Sequence, residues 1–300
     1  MAQVKVSYLQ RESSQIENAL QHAFTSNKDV ASVSCKDHDS LEKSLTTGEV
    51  SHAILAVENS ISGSFTHSLD FLVSRPSLYI VGEVVLEENI SLLAHENTPI
   101  EKIKEIVALP HTMEQTRGQI FEILAREIPF KIVPDFSLVA KKIGSGELPG
   151  TAILANNSAV TSYKLKVLKG NLGAHAEHNF TRYLLISKNP AAPEKHQLPK
   201  TTVAITLKNV PGSLSKVFSV FSLRDLNVCK VESRATIRSV RGGSAWEYTM
   251  VVDVDGAPQI DTKLNAALEN LKEFSTNVHV LGSYPRYFSP PSENLAPVGL

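Results

Sequence analysis

Only two cysteines, Cys35 and Cys229, occur in 300 residues. They are too few for a disulfide framework or a four-cysteine zinc site, and they read as core thiols in a reducing compartment. A basic excess is absent too: 30 Lys and Arg stand against 31 Asp and Glu, a formal net charge of -1. That balance carries no electrostatic footprint of a nucleic-acid or membrane-surface protein. No uninterrupted apolar run approaches the ~20 residues that span a bilayer. The N-terminus enters Val4-Lys5-Val6-Ser7-Tyr8-Leu9 with no basic or apolar leader before it, so a cytosolic chain is expected. There is no phosphate loop, dinucleotide fingerprint or Gly-x-Ser-x-Gly elbow. His175 and His178 stand three apart in a predicted loop and read as solvated histidines rather than a metal site.

What the sequence does have is alternation. After the first strand, Ser14-Gln15-Ile16-Glu17 has capping-box spacing, and Ile16, Ala19, Leu20, Ala23 and Phe24 recur at helical intervals. A shorter helix begins at Asp39 with Glu42 and stops near Gly48. Residues 53–57 form a continuous apolar run, as in a strand buried on both faces. The run ends in Glu58-Asn59-Ser60-Ile61-Ser62-Gly63-Ser64, followed by a helical pattern through Phe65, Leu69 and Leu72. Strand, polar loop and helix start make either an anion site or an ordinary capped turn. Strands at 78–86, 90–94, 106–109, 131–134 and 151–155 then alternate with helices near 99–105, up to Arg126, and at 137–143 and 159–163. This predicts an α/β fold with a mainly parallel sheet. Strands on both sides of 79–88 predict two lobes, with the chain returning near 166–172 and the ligand cleft between them.

Asn179-Phe180-Thr181-Arg182-Tyr183 opens a further apolar run through Leu184, Leu185 and Ile186. A strand starting this way places an amide, a hydroxyl and a guanidinium at its mouth, where α/β proteins hold ligands. Asn59, Ser60 and Thr181 are expected to meet there. Residues 188–200 are polar and proline-punctuated, a linker between domains at 1–187 and 201–286. From Thr201 the pattern becomes strand, Asn209–Gly212 turn, helix, two strands about Arg241-Gly242-Gly243, helix and strand. That is the ferredoxin-like βαββαβ order, with Trp246 and its neighbouring aromatics read as core. The tail at 287–300 reads as disordered.

These motifs resemble prephenate dehydratase and arogenate dehydratase over nearly the whole chain. The residues that carry the resemblance are Val57-Glu58-Asn59-Ser60 with Gly63, Ser68-Leu69-Asp70, Gly82-Glu83, Asn179 with Thr181-Arg182-Tyr183, Pro211-Gly212 with Leu214, Glu232-Ser233-Arg234, Trp246-Glu247-Tyr248 and Leu281-Gly282-Ser283-Tyr284-Pro285. The resemblance implies a two-lobed catalytic domain like a periplasmic binding protein, followed by an ACT domain. It also implies loss of carbon dioxide and water from a dicarboxylic cyclohexadienol, with no metal or organic cofactor required. Thr181 is then placed at the leaving group, with Arg182 and Asn179 supporting the strand mouth and substrate. Asn59, Ser60, Glu58, Gly63 and Ser14 are implied on the substrate side. Phenylalanine is implied as an effector at Gly212, Ser213, Leu214, Glu232, Ser233 and Arg234, in a homodimer or homotetramer.

Departures from the family pattern gather around the cleft. Gln10 and Ser13 stand where glycines are expected, and Ser14 replaces a Thr. Thr112-Met113 after His111 replaces Pro-Gln, Phe136-Ser137 replaces Thr-Ala, Ala155 replaces Ser and Ala174 replaces Asp, while in the ACT domain Ala235 replaces Pro. They leave open a second reading, a homologue that senses an amino acid or binds a partner enzyme without turnover.

Overall fold

The computed structural model describes residues 3–10, 13–24, 30–173, 179–240 and 243–286, with side chains undescribed at 13–15, 17, 236–240 and 243–245. The first sheet contains β1 (Val4–Leu9), β2 (Val30–Cys35), β3 (His52–Asn59), β4 (Gly63–Ser64), β5 (Tyr79–Glu87) and β11 (Phe180–Ser187). Its order is β2-β1-β3-β11-β5, with β4 folded back on β3. Helices α1 (Ser13–Ala23), α2 (His38–Thr46) and α3 (Thr66–Val73) connect these strands. Helix α2 begins one residue earlier than its sequence pattern suggests. Asp37 caps it by accepting from Ser40 N at 2.8 Å, while Ser40 Oγ accepts from Asp37 N, a reciprocal capping box.

The second sheet contains β6 (Ile90–Ala94), β7 (Glu105–Ala108), β8 (Phe130–Ile132), β9 (Thr151–Asn156) and β10 (Lys166–Leu172), in the order β10-β6-β9-β7-β8. Helices α4 (Pro110–Leu124), α5 (Ser137–Gly144) and α6 (Ser158–Tyr163) pack around it. Four of its strands run in one sense, and the exception is β6, which runs against both its neighbours. Helical crossovers α4 and α5 make β7, β8 and β9 parallel. Strand β6 has no such crossover: it follows β5 after Glu88-Asn89 and leads to β7 through a single 3-10 turn, Ile100–Lys102, where a helix was expected. The sheet is buried on both faces. Ile90, Leu92, Ala94, Ile106, Ala152 and Leu154 meet Ile120 of α4 on one side, and Leu93, Val107 and Ile153 meet Ala140 and Ile143 of α5 on the other. This period of two explains the continuous apolar runs in the sequence.

The third sheet is antiparallel, β13-β14-β12-β15, formed by β12 (Lys200–Leu207), β13 (Val228–Val240), β14 (Gly243–Asp255) and β15 (Ser275–Tyr284). With α7 (Ser213–Ser222) and α8 (Thr262–Phe274) it has the expected βαββαβ order. Val203, Ile205, Met250, Val252 and Val254 pack with Val217, Phe221, Leu264 and Leu268 of the helices. Trp246, expected in this core, is 60% exposed, and Tyr248 is 48% exposed. Both lie toward the start of β14, beyond the stretch from Met250 to Val254 that packs in the core.

The chain forms two compact units, 1–50 with 54–64 and 85–183, and 51–53 with 65–84 and 184–300. Within the second unit, α3 and the start of β5 join the βαββαβ element. Lys200 Nζ donates to both carboxylate oxygens of Glu83 at 2.9 Å, and Arg234 forks onto Asp70 at 2.7 and 2.8 Å. Gly282 lies so close to β5 that a Cβ there would stand 2.1 Å from Ile80 O. Because that neighbour is backbone, Gly282→Ala is expected to cost about 1–3 kcal/mol through forced displacement. A lowered thermal unfolding midpoint checks this, and an unchanged midpoint contradicts it.

Candidate active site

Three buried amides close a ring. Asn59, at the end of β3, donates from Nδ2 to Asn179 Oδ1 at 2.7 Å. Asn179 Nδ2 donates to Gln115 Oε1 at 3.0 Å, and Gln115 Nε2 donates back to Asn59 Oδ1 at 3.1 Å. Asn59 Nδ2 also donates to Thr181 Oγ1 at 3.1 Å. The four residues are exposed by 5% or less. A buried polar group that lacks a partner is costly, so a closed ring of donors and acceptors makes this cluster affordable within a core.

The direction of the ring is fixed from outside it. Asn59 Oδ1 accepts from the backbone N–H groups of Ile61 and Ser62, each at 2.9 Å, and from Ser62 Oγ at 3.2 Å. A backbone N–H can only donate, so the oxygen of Asn59 must face the loop and its NH2 must face Asn179 and Thr181. Thr181 Oγ1 receives a hydrogen from Asn59, which leaves the hydroxyl's own proton directed elsewhere.

The same bonds revise the anion reading of the 58–64 loop. Its Ile61 and Ser62 N–H groups point at the Asn59 side chain. Ser60 N–H donates to Phe180 O, and Ser60 Oγ accepts from Phe180 N–H, both at 2.9 Å. The loop is a hairpin in which Gly63, at φ +80°, pairs with Asn59. Helix α3 starts later, at Thr66, after an N-cap residue Phe65 that makes no side-chain capping bond.

Glu58 and Arg182 adjoin the ring in sequence, but strand alternation turns them to the opposite face from Asn59 and Thr181. There they form an ion pair at 2.7 Å. Ser14 belongs to α1 by its backbone, and its side chain falls outside the described residues, as do residues 174–178 and the tail at 287–300. In the βαββαβ element, Gly212 (φ +80°) precedes α7 with Ser213 buried and Leu214 exposed, while Glu232, Ser233 and Arg234 lie on β13. No set of three or more His, Cys, Asp or Glu among the described residues is arranged to hold a metal.

Gln115 is not among the residues that the sequence motifs single out, because Thr112-Met113 stands where the family has Pro-Gln. A signal was present: the buried residues of α4 are Thr112, Gln115 and Thr116 before the first apolar one, Ile120. A helix whose inward face is polar for two turns faces a polar site. His111 lies one turn before Gln115, and burial pushes its imidazole pKa down to about 4.

An unfolded histidine titrates near 6.5, so above that pH both states are neutral and His111 leaves stability unchanged. Between about pH 6.5 and 4 only the unfolded chain gains the proton, and stability should fall over that window by on the order of 3 kcal/mol. His111→Gln should flatten this part of the profile, as read by denaturant unfolding at pH 7.5 and 5. An identical acid slope in parent and variant contradicts the assignment.

Comparison with known proteins identifies the family. A family model described as prephenate dehydratase matches residues 6–191, and one described as ACT domain matches residues 201–269. The Arabidopsis thaliana protein named arogenate dehydratase/prephenate dehydratase 2, chloroplastic, is 31% identical over 289 residues, covering 95% of this chain and 73% of its own. The structure of prephenate dehydratase in complex with L-Phe from Arthrobacter aurescens is 25% identical and superposes with a TM-score of 0.81, covering 94% of this chain and 90% of that one. GqqA, described as a novel type of quorum quenching acylase, shares the fold at 23% identity and a TM-score of 0.77, covering 94% of this chain and 98% of its own. A shared fold does not fix chemistry. The family match spans most of the two-sheet region, and by it the chain belongs to the prephenate dehydratase family and carries a C-terminal ACT domain.

Proposed function

We propose that the protein is a lyase that converts prephenate or arogenate to phenylpyruvate or phenylalanine, with Thr181 at the leaving group. The observation that carries this reading is the Thr181 hydroxyl held by Asn59 within the closed amide ring. In the reaction the ring carboxylate departs as carbon dioxide. Its electron pair enters the ring, the C–O bond on the opposite carbon breaks, and the hydroxyl leaves as water with a proton supplied by solvent. Aromatisation drives the step, and the protein has to orient the substrate and stabilise the departing oxygen. Thr181 donates its hydrogen bond to that oxygen. The Asn59 amide donates to Thr181 Oγ1, so negative charge drawn onto the threonine oxygen is met by a fixed dipole. Gln115 and Asn179 act through Asn59, as positioning residues. Arg182 and Glu58 brace the two strands from the other face.

The reading includes regulation by phenylalanine through the ACT domain, supported by the family match and by the phenylalanine-bound relative. It also includes a homodimer or homotetramer in the cytosol. Exposed Trp246 and Tyr248 favour the assembly, and light scattering reads the subunit number. No helix among the described residues is long and apolar enough to cross a membrane.

Mass spectrometry of products from each substrate tests the proposal. Phenylpyruvate or phenylalanine should form, less of it when phenylalanine is added, and Thr181→Val should lower turnover by roughly 10²–10⁴-fold. A folded protein that makes neither product, while a control dehydratase does, contradicts it and favours the non-catalytic amino-acid sensor.

A further inference from the structure

Asn179 is the member of the amide ring against which a second segment of chain is laid. It is fully buried, and its backbone is held on the β11 side: its carbonyl accepts from Glu88 N–H at 2.7 Å, and the next N–H, of Phe180, donates to Ser60 Oγ. The segment that meets its side chain is the end of β10. A Cβ built on Gly173 would stand 3.5 Å from Asn179 Nδ2, so the Gly173 backbone lies in reach of that amide. Gly173 has φ +119°, which L side chains rarely adopt, and Asn171 has φ +56°. The strand thus turns through two residues of positive φ to bring glycine backbone to the ring.

Helix α4 holds that turn. Ile120 and Leu172 belong to one buried cluster, which seats α4 against β10. Beside them, Gln119 Oε1 accepts from Gly173 N–H at 2.6 Å. A backbone N–H can only donate, so the oxygen of Gln119 must face Gly173. Gln119 follows Gln115 by four residues, one turn along the same helix face, where Cβ atoms are about 5–6 Å apart. Gln115 Oε1 itself accepts from Asn179 Nδ2 at 3.0 Å. One face of α4 therefore addresses the Asn179 amide twice, through the Gln115 side chain and through the backbone that Gln119 fixes. Gly173 is buried, and a buried N–H that loses its acceptor is costly. Without the Gln119 oxygen the turn would shift toward another partner and away from Asn179.

We propose that Gln119 is a positioning residue: by holding Gly173 against the Asn179 amide, it fixes the ring that aims the Thr181 hydroxyl. Its effect on turnover rests on the dehydratase reading, whereas the placing of Asn179 is measurable with no substrate present.

Steady-state kinetics with prephenate and arogenate test the first part. Gln119→Leu, close in size but without the acceptor, should lower kcat about tenfold and leave KM within about threefold, because a shifted ring misplaces a group that acts in the transition state. Gln119→Glu keeps an oxygen that can accept from Gly173 N–H, and its kcat should stay within about threefold of the parent. Unchanged kcat in Gln119→Leu, or an equal loss in Gln119→Glu, overturns the proposal. Nuclear magnetic resonance of protein carrying isotopically labelled asparagine tests the second part, with the Asn179 side-chain signal identified by its loss in Asn179→Ala. In Gln119→Leu that signal should move, and its hydrogens should exchange with solvent about tenfold faster. An unchanged signal and rate overturn the proposal whatever the kinetics. Thermal midpoints confirm folding, and Gln119→Ala takes the place of Gln119→Leu should that variant not fold. Where the folded parent turns over neither substrate, the dehydratase reading falls, and the resonance measurement decides the placing alone.

Discussion

The oxygen of the Asn59 side chain gathers two backbone N–H groups, a serine hydroxyl and the Gln115 amide. Those contacts close the β3–β4 hairpin, and they also leave only one direction for the Asn59 NH2. From that direction follow the orientations of Asn179 and Gln115 and the single hydrogen that Thr181 receives. A hydrogen bond to a buried group contributes only about 1 kcal/mol net, but leaving such a group unpaired costs about 1–3 kcal/mol. A closed ring therefore loses more than one contact when any member is removed. The geometry of the ring and the local stability of the strand ends come from the same bonds.

Around this centre the fold assigns distinct tasks to the two faces of the β3–β11 strand pair. One face presents Asn59, Asn179 and Thr181. The other joins Glu58 to Arg182, a largely buried pair that ties the strands without entering the ring. In the second compact unit, the nearly buried Lys200–Glu83 pair, the Arg234–Asp70 fork and the contact of Gly282 with Ile80 build α3 and the start of β5 into the same body as the ACT domain. Arg234, read from the sequence as an effector residue, thus has a defined partner in α3. Removing one member of the Lys200–Glu83 pair would strand a buried charge, so it is a structural bond with little tolerance for change.

Much of the fold could be read from local pattern. Continuous apolar runs at 53–57 and 90–94 reported strands buried on both faces, and the βαββαβ order followed from alternation and turn residues in the last hundred residues. What could not be read depended on connection and context. The reversed sense of β6 comes from the missing crossover on either side of it, which no periodicity within the strand records. Trp246 was assigned to the core on residue type, yet it lies where the core residues of β14 have ended. At the site, Thr181, Asn179 and Asn59 stood out as polar residues at strand ends. Arg182 and Glu58 stood beside them, and only strand alternation separates their face from that of the ring. Gln115 required recognising that α4 buries polar residues at 112, 115 and 116 where an ordinary amphipathic helix would bury apolar ones.

The central claim is that Asn59, Asn179 and Gln115 act as one unit in setting Thr181. A kinetic double-mutant cycle between Gln115→Met and Asn179→Ala tests it most directly, because each substitution opens the ring at a different bond. The double variant should lose no more turnover than the worse of the two single variants, since an opened ring cannot be opened again. Losses that multiply across the cycle would show two independent contacts and contradict the claim.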